Sequence, residues 1–332
     1  MADDENIVSK QFPELFHYTK VSYFESIYKT RQFWATHYED MNDSTEFARF
    51  GLKVRDFIRP KIREIFDKKL RGSAEIGLDV HSKGGIDTVV DKEAEMLLNT
   101  VYNHTFGKHM YKETFIVSFC AHKIPYEVSH GLLSQWRGYG ADGGIALVLD
   151  TSRIEKMMQH DHDDVFQLQI MYMGDVIYDN NDVKIKQDFE NVFDLFPKIV
   201  EILYSDKELC NSRKLESHFE DMHDHFLLGS TLVKHLAFHE ENEVRIVVSP
   251  KTGNSFSSYN PDDPRQQKEI RYRQIGNCEV RYIELFGDAP LPIKRIIVGP
   301  SRIQNLNYQR IKDIINKNSC IEVVKSEIPF LG

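Results

Sequence analysis

The chain has 332 residues, of which 41% are hydrophobic and 28% charged, with a net charge of −9. That length supports one large domain or two small ones with a sizeable core, and the acidic balance argues against a broad basic nucleic-acid surface. Cys120, Cys210, Cys278 and Cys320 are widely spaced and form no CxxC pair, so neither a zinc ribbon nor a thioredoxin-type motif is indicated and free thiols are expected. Residues 1–10 are acidic and polar, unlike a signal peptide. No apolar run reaches ~18 residues, so no membrane span is expected and the setting reads as cytoplasmic.

In chain order, Leu15 to Thr19 reads as a short strand. Val21, Phe24, Ile27 and Tyr28 follow at helical spacing, and Ser22 with Glu25 predicts a capping box for that helix. Phe33 to Thr36 is the next strand, and Met41-Asn42-Asp43-Ser44 a turn. Phe50, Val54, Ile58, Ile62 and Ile65 predict a helix over 45–70, kinked or broken at Pro60. Residues 71–85 read as a loop and 91–111 as a helix. Thr114 to Cys120, Gly144 to Asp150 and Gln167 to Met173 read as strands, and 188–232 as mostly helix. Glu243 to Val248 alternates polar with apolar, as a half-buried strand does. Residues 251–267 are a polar loop with Gly253, Pro261 and Pro264. Ile293 to Gly299 and Ile321 to Lys325 close the chain as strands. The pattern is mixed α/β (α+β).

Three segments far apart in sequence carry the candidate chemistry. They are Phe16-His17-Tyr18-Thr19, Ser134-Gln135-Trp136-Arg137-Gly138-Tyr139-Gly140, and Phe238-His239-Glu240-Glu241-Asn242-Glu243-Val244-Arg245. Brought together, they would build a cleft with a hydrogen-bonding floor, aromatic walls and a carboxylate. Each has a plainer structural reading. His17 can be a core histidine satisfied by a backbone carbonyl. Trp136 and Tyr139, at helical spacing with Leu132 and Leu133, can be core; Gly138, Gly140, Gly143 and Gly144 around them leave room for a ligand. Arg137 suits a phosphate. Glu241, Glu243 and Arg245 alternate along a strand and point to one face. That face is either solvated, with an ion pair, or turned to a cleft. The runs His160 to Asp164 and His218 to His225 lack helical metal-ligand spacing and read as solvated surface. No P-loop, dinucleotide GxGxxG or GxSxG elbow is present.

In this order the motifs resemble the bacterial family of unknown function DUF2971. The resemblance rests on the His-Tyr-Thr start at His17, on Met41, Asn42, Asp43 and Glu46, and on Ser118-Phe119. It continues with Trp136 to Tyr139, Glu241 to Arg245 and Val298 to Pro300. That family is in turn similar to ADP-ribosyltransferases. The resemblance implies a single domain over 1–332 with a split β-sheet core, and large helical insertions near 50–112 and 151–230. It implies an enzyme that cleaves the nicotinamide–ribose bond of NAD and passes ADP-ribose to a protein or nucleic-acid acceptor. Transfer to water would make it an NAD glycohydrolase. Glu243, His17 and Tyr139 would be catalytic, with Glu241 the alternative carboxylate. Tyr18, Thr19, Ser118, Phe119, Trp136, Arg137, Glu241 and Arg245 would contact the cofactor. No metal is implied. A bacterial toxin or phage-defence role, with a regulatory partner protein, would fit such an enzyme, and a catalytically dead nucleotide- or peptide-binding module is the alternative of a different class.

Overall fold

A computed structural model describes residues 8–41, 46–107, 111–140, 143–204, 212–253, 259–315 and 319–329. After a short helix α1 (Val8–Gln11), β1 (Glu14–Lys20), α2 (Val21–Thr30) and β2 (Gln32–His37) form the first unit. A helical stretch follows: α3 (Arg49–Gly72), α4 (Ala74–Ser82) and α5 (Ile86–Phe106). Then come β3 (Phe115–Cys120), α6 (Pro125–His130), α7 (Leu133–Tyr139), β4 (Gly144–Asp150) and α8 (Thr151–His160). β5 (Leu168–Asp175), β6 (Ile177–Tyr178), α9 (Asp182–Asp188), α10 (Glu190–Tyr204), α11 (Ser212–Leu232) and β7 (Val233–Lys234) lead to β8 (Glu243–Pro250). The chain ends with β9 (Arg271–Ile275), β10 (Cys278–Phe286), β11 (Ile293–Val298), α12 (Gln304–Ile314) and β12 (Glu322–Lys325).

Ten strands form one mixed sheet that divides at β3. One edge of β3 pairs with β8 from Phe115 to Cys120, and β8 pairs in turn with β5. The other edge is shared. β2 takes Phe115 and Ile116, while β1 touches only Cys120, through Phe16. β1 continues into β4, β11 and β12, and β2 into β10 and β9.

Side-chain alternation gives the sheet two covered faces. On one face, Leu15, Phe33, Phe119, Leu147, Val244 and Ile296 pack under α1, α2, α8 and α12. On the other, Ile116 and Val247 meet a layer built from α3, α5, α10 and α11. Beside that layer, Phe16, Tyr18, Cys120, Ala146, Val148 and Ile297 pack against Trp136 of α7. The two helical stretches thus meet in one layer on one face. β5, inside 151–230, belongs to the main sheet.

Several local expectations change. Lys20 occupies the position before α2 and gives no side-chain cap, so Ser22 lies within the first turn and no capping box forms. α3 runs through Pro60, because Phe50, Val54, Ile58 and Ile62 bury one continuous stripe on both sides of it; tertiary packing outweighs the missing N–H. Residues 74–82, read as loop, are helical, with Ser73 Oγ accepting the Ile76 N–H at 3.5 Å. The β9–β10 hairpin was not anticipated, since nearly every residue of β9 is exposed and shows no alternation. Its two-residue Gly276-Asn277 turn, with Gly276 at φ +59°, was the available signal. The turn at 41–44 lies mostly outside the described residues, as does Cys210. Cys120 is buried, whereas Cys278 and Cys320 are exposed free thiols. Among the described residues no helix is long and apolar enough to cross a membrane.

Candidate functional site: a buried ion cluster beside Tyr139

Glu243 opens β8 opposite Cys120 of β3, and Arg245 lies opposite Ser118. Both point to the face covered by the helical layer, and neither is solvated: Glu243 is 4% exposed and Arg245 1%. Charges this deep persist only when paired, and here they are. Arg245 donates from Nε to Glu243 Oε1 at 2.7 Å and from Nη2 to Glu243 Oε2 at 3.1 Å. Its Nη1 donates to the Thr231 carbonyl at 2.6 Å, at the end of α11. Nη2 also bonds Glu46, just ahead of α3. Lys234, from β7, donates to Glu241 Oε2 at 2.8 Å and to Glu243 Oε2 at 2.7 Å.

Three carboxylates therefore face two cations. Burial by itself would raise the Glu243 carboxyl, but Arg245 and Lys234 overcome it and hold the group at about 2. Glu46 goes the other way: its desolvation outweighs the same two cations and its carboxyl is raised. The Glu243 N–H donates to Tyr178 Oη at 3.4 Å, and burial pushes that phenol up to about 12. The Cys120 thiol is raised by burial and then by Glu243 and Glu241.

The cluster is open on the side of Glu241. That side chain is 21% exposed and belongs to a turn of 3-10 helix, Leu236–Glu241. Phe238 of the same turn is 37% exposed and lies under Lys234 Nζ, 4.6 Å from its ring centroid. Tyr139 is 47% exposed, yet its hydroxyl is raised by local burial and then by Glu241, with Lys234 and Glu243 also within electrostatic reach. A partly exposed carboxylate, the exposed Phe238 ring and a tyrosine within electrostatic reach thus flank the cluster's open side, its mouth. Such a mouth can stabilise a cationic or cation-forming group.

The predicted site residues divide between the two faces. Tyr18, Ser118, Trp136, Tyr139, Glu241, Glu243 and Arg245 lie on the cluster's face. His17 and Phe119 lie on the other. The His17 ring packs edge-on against Phe33 at 5.0 Å and against Phe119 at 5.6 Å, and Nδ1 lies 3.3 Å from the Ser118 carbonyl. Burial lowers its pKa to about 4 against that hydrogen bond. His17 thus fits a histidine satisfied by backbone at the division of the sheet, and does not share a pocket with Glu243. Thr19 follows His17 by strand alternation, and Phe119 is core.

Trp136 is 1% exposed and donates Nε1–H to the His130 carbonyl at 3.0 Å. Its ring meets Tyr18 edge-on at 4.8 Å. Of the glycines the sequence singles out, Gly140 and Gly144 face each other's backbone, Gly143 faces Asn307, and a Cβ on Gly138 would meet nothing within 4 Å; two others, Gly131 and Gly299, make room for this indole. A Cβ on Gly131 would lie 2.6 Å from it, and one on Gly299 2.7 Å. Tyr18 is buried and hydrogen-bonded at both sides of its hydroxyl. Arg245 is committed to its partners. Arg137 is exposed on α7.

Sequence reasoning missed Lys234, Thr231 and Tyr178. A lysine closing the apolar run Leu232-Val233 was the one visible hint. Glu46 was noticed as a motif residue without a partner. The two His-Asp runs are less solvated than expected: Asp161 and His223 are buried. Asp161 accepts the Phe286 N–H at 3.1 Å, and His160 pairs with Asp164 at 2.9 Å.

Residues 135–246 match the model of a family described as a protein of unknown function, DUF2971. Over those residues the chain resembles that family. The match covers about a third of the chain, from α7 to β8. It takes in Trp136, Tyr139, Lys234, Glu241, Glu243 and Arg245, and runs through 151–230. Comparison with curated proteins and with solved structures finds no match.

Proposed function

We propose that this chain acts on NAD as an ADP-ribosyltransferase, through the mouth of the ion cluster. One observation carries the reading: Glu241, partly exposed, is held by Lys234 beside the exposed Phe238 ring and within electrostatic reach of Tyr139. Glu241 takes the role of stabilising the oxocarbenium-like ribose, because it alone of the three carboxylates is partly open. Glu243 fixes Lys234 and Arg245 behind it. Tyr139 stacks on nicotinamide, and Arg137, exposed on the same helix, faces the pyrophosphate. His17, Trp136 and Arg245 have no ligand role in this reading. The acceptor is a protein, a nucleic acid or, in an NAD glycohydrolase, water. A toxin or defence role is proposed on the family resemblance alone.

The complete pairing of Glu243 and Arg245 supports a second reading. In it, the cluster is a clasp between the helical layer and the sheet in a non-catalytic binding module. Incubation with millimolar NAD and assay of free nicotinamide separates the two. The enzyme reading expects release that falls on the order of 10²-fold in Glu241→Gln. No release from the wild type leaves the clasp.

A further inference from the structure

Beside the cluster, a second buried polar chain joins β1 to the segment that carries α7. Leu132 precedes α7, and an apolar side chain cannot cap a helix. Its backbone N–H donates instead to Tyr18 Oη, at 2.9 Å. The same oxygen lies 2.7 Å from His122 Nε2. A phenolic oxygen can accept twice, but Nε2 as acceptor is the arrangement that gives the buried phenolic proton a partner, so the proton is assigned toward His122. A neutral imidazole accepting at Nε2 carries its proton on Nδ1. Nδ1 is buried with no hydrogen bond and faces Glu127 Oε2 at 3.6 Å.

The surroundings fix which state the fold accepts. The Phe16 ring lies 4.5 Å from the imidazole, and Trp136 closes over Tyr18. The titratable groups facing His122 are Tyr18 from β1 and Glu127 from α6. Neighbouring Lys123 turns away, over the Phe12 ring at 4.7 Å. Glu127 is itself raised by desolvation and by Glu240, which weakens its pull on a proton at Nδ1.

We propose that Tyr18, His122 and Glu127 form a latch that fixes the start of α7, and with it Tyr139, while His122 is neutral. Protonation puts a hydrogen on Nε2 as well. Tyr18 then loses its acceptor and faces a donor in a buried place, and the Leu132 N–H loses its oriented partner. Tyr18 and His122 are positioning residues. The importance of Tyr139 rests on the NAD reading, but the latch does not.

The test uses the full chain with histidine rings labelled by ¹⁵N. His122 is expected as the Nδ1–H tautomer, titrating near 4, where burial places it. Amide exchange at Leu132, corrected for intrinsic rate, is expected to accelerate as pH falls through that titration. At neutral pH, Tyr18→Phe keeps the ring and removes the hydroxyl, and is expected to accelerate exchange roughly five- to tenfold. His122→Gln offers an acceptor at every pH, so Leu132 protection is expected to keep only the acid dependence shown by core amides outside the latch. An Nε2–H tautomer, unchanged exchange in Tyr18→Phe, or a Leu132 acid dependence in His122→Gln that still exceeds that of those core amides as in the wild type would each overturn the latch. None of these readouts needs turnover, so a protein inactive on NAD leaves the test intact.

Discussion

Replacing Glu243 by glutamine tests whether the ion cluster holds the fold together. The amide keeps one carbonyl acceptor but turns an NH₂ group toward N–H donors, where Glu243 met Arg245 Nε at 2.7 Å and Lys234 Nζ at 2.7 Å. Removing one member of a buried ion pair costs about 3–5 kcal/mol. The lower end applies here, because Arg245 keeps Glu46 and the Thr231 carbonyl, and Lys234 keeps Glu241. Unfolding entropy of about 2.1 cal/mol/K per residue over 332 residues is roughly 0.7 kcal/mol/K. The melting temperature of Glu243→Gln should therefore fall by about 4–5 °C. Glu241→Gln is the control: that side chain is 21% exposed and meets Lys234, and loses about 1 kcal/mol or less. Differential scanning calorimetry of the two variants decides the matter. A Glu243→Gln melting point within about 1 °C of wild type would refute a buried, fully paired cluster.

Acid should destabilise the fold well before carboxylates titrate. Burial lowers His17, His122 and His223 to about 4 each, against about 6.5 when unfolded. Their folded values are depressed because burial favours the neutral ring, so the full benefit is present above pH 6.5 and is lost as pH falls toward 4. These three rings put up to three extra protons on the unfolded chain and contribute a slope of at most about 4 kcal/mol per pH unit, with His37, also lowered by burial, adding to it and raised Glu46 opposing it; flat denaturant midpoints between pH 6.5 and 4.5 would contradict these burials. Gly299→Ala brings a Cβ to 2.7 Å from Trp136 and 3.0 Å from the Gly144 carbonyl, and should cost about 1–3 kcal/mol with a shift in tryptophan emission. Gly138→Ala meets nothing within 4 Å, so inside α7 it should be neutral or stabilise by up to about 1 kcal/mol; equal effects of the two in thermal melts would remove the packing account of these glycines.

Local pattern was enough to read most strands and the long helices. The run Gly144 to Asp150 is bounded in the structure as the sequence predicts, because a continuous apolar stretch between turn signals has few other conformations. The stripe through Phe50, Val54, Ile58 and Ile62 likewise identified α3, although the effect of Pro60 depended on what covered that stripe. Alternation also placed Glu243 and Arg245 together, since neighbours of like parity share a face; Glu241 lies in the 3-10 turn ahead of β8, so strand parity does not place it, and it reaches the cluster through Lys234. Parity could not say which face of the sheet that was. His17 and Tyr18 are adjacent in sequence, and the pleat sends one to the Phe33 and Phe119 side and the other to the Trp136 side. Whether His17 and Glu243 share a cleft was thus decided by how β1 and β8 join β3. The partners of Arg245 were equally hidden. Glu46 lies 199 residues away along the chain, and no local rule links positions so distant. Only the folding of two helical stretches onto one face brings Glu46, Thr231 and Lys234 to the strand, where low dielectric makes their pairing obligatory.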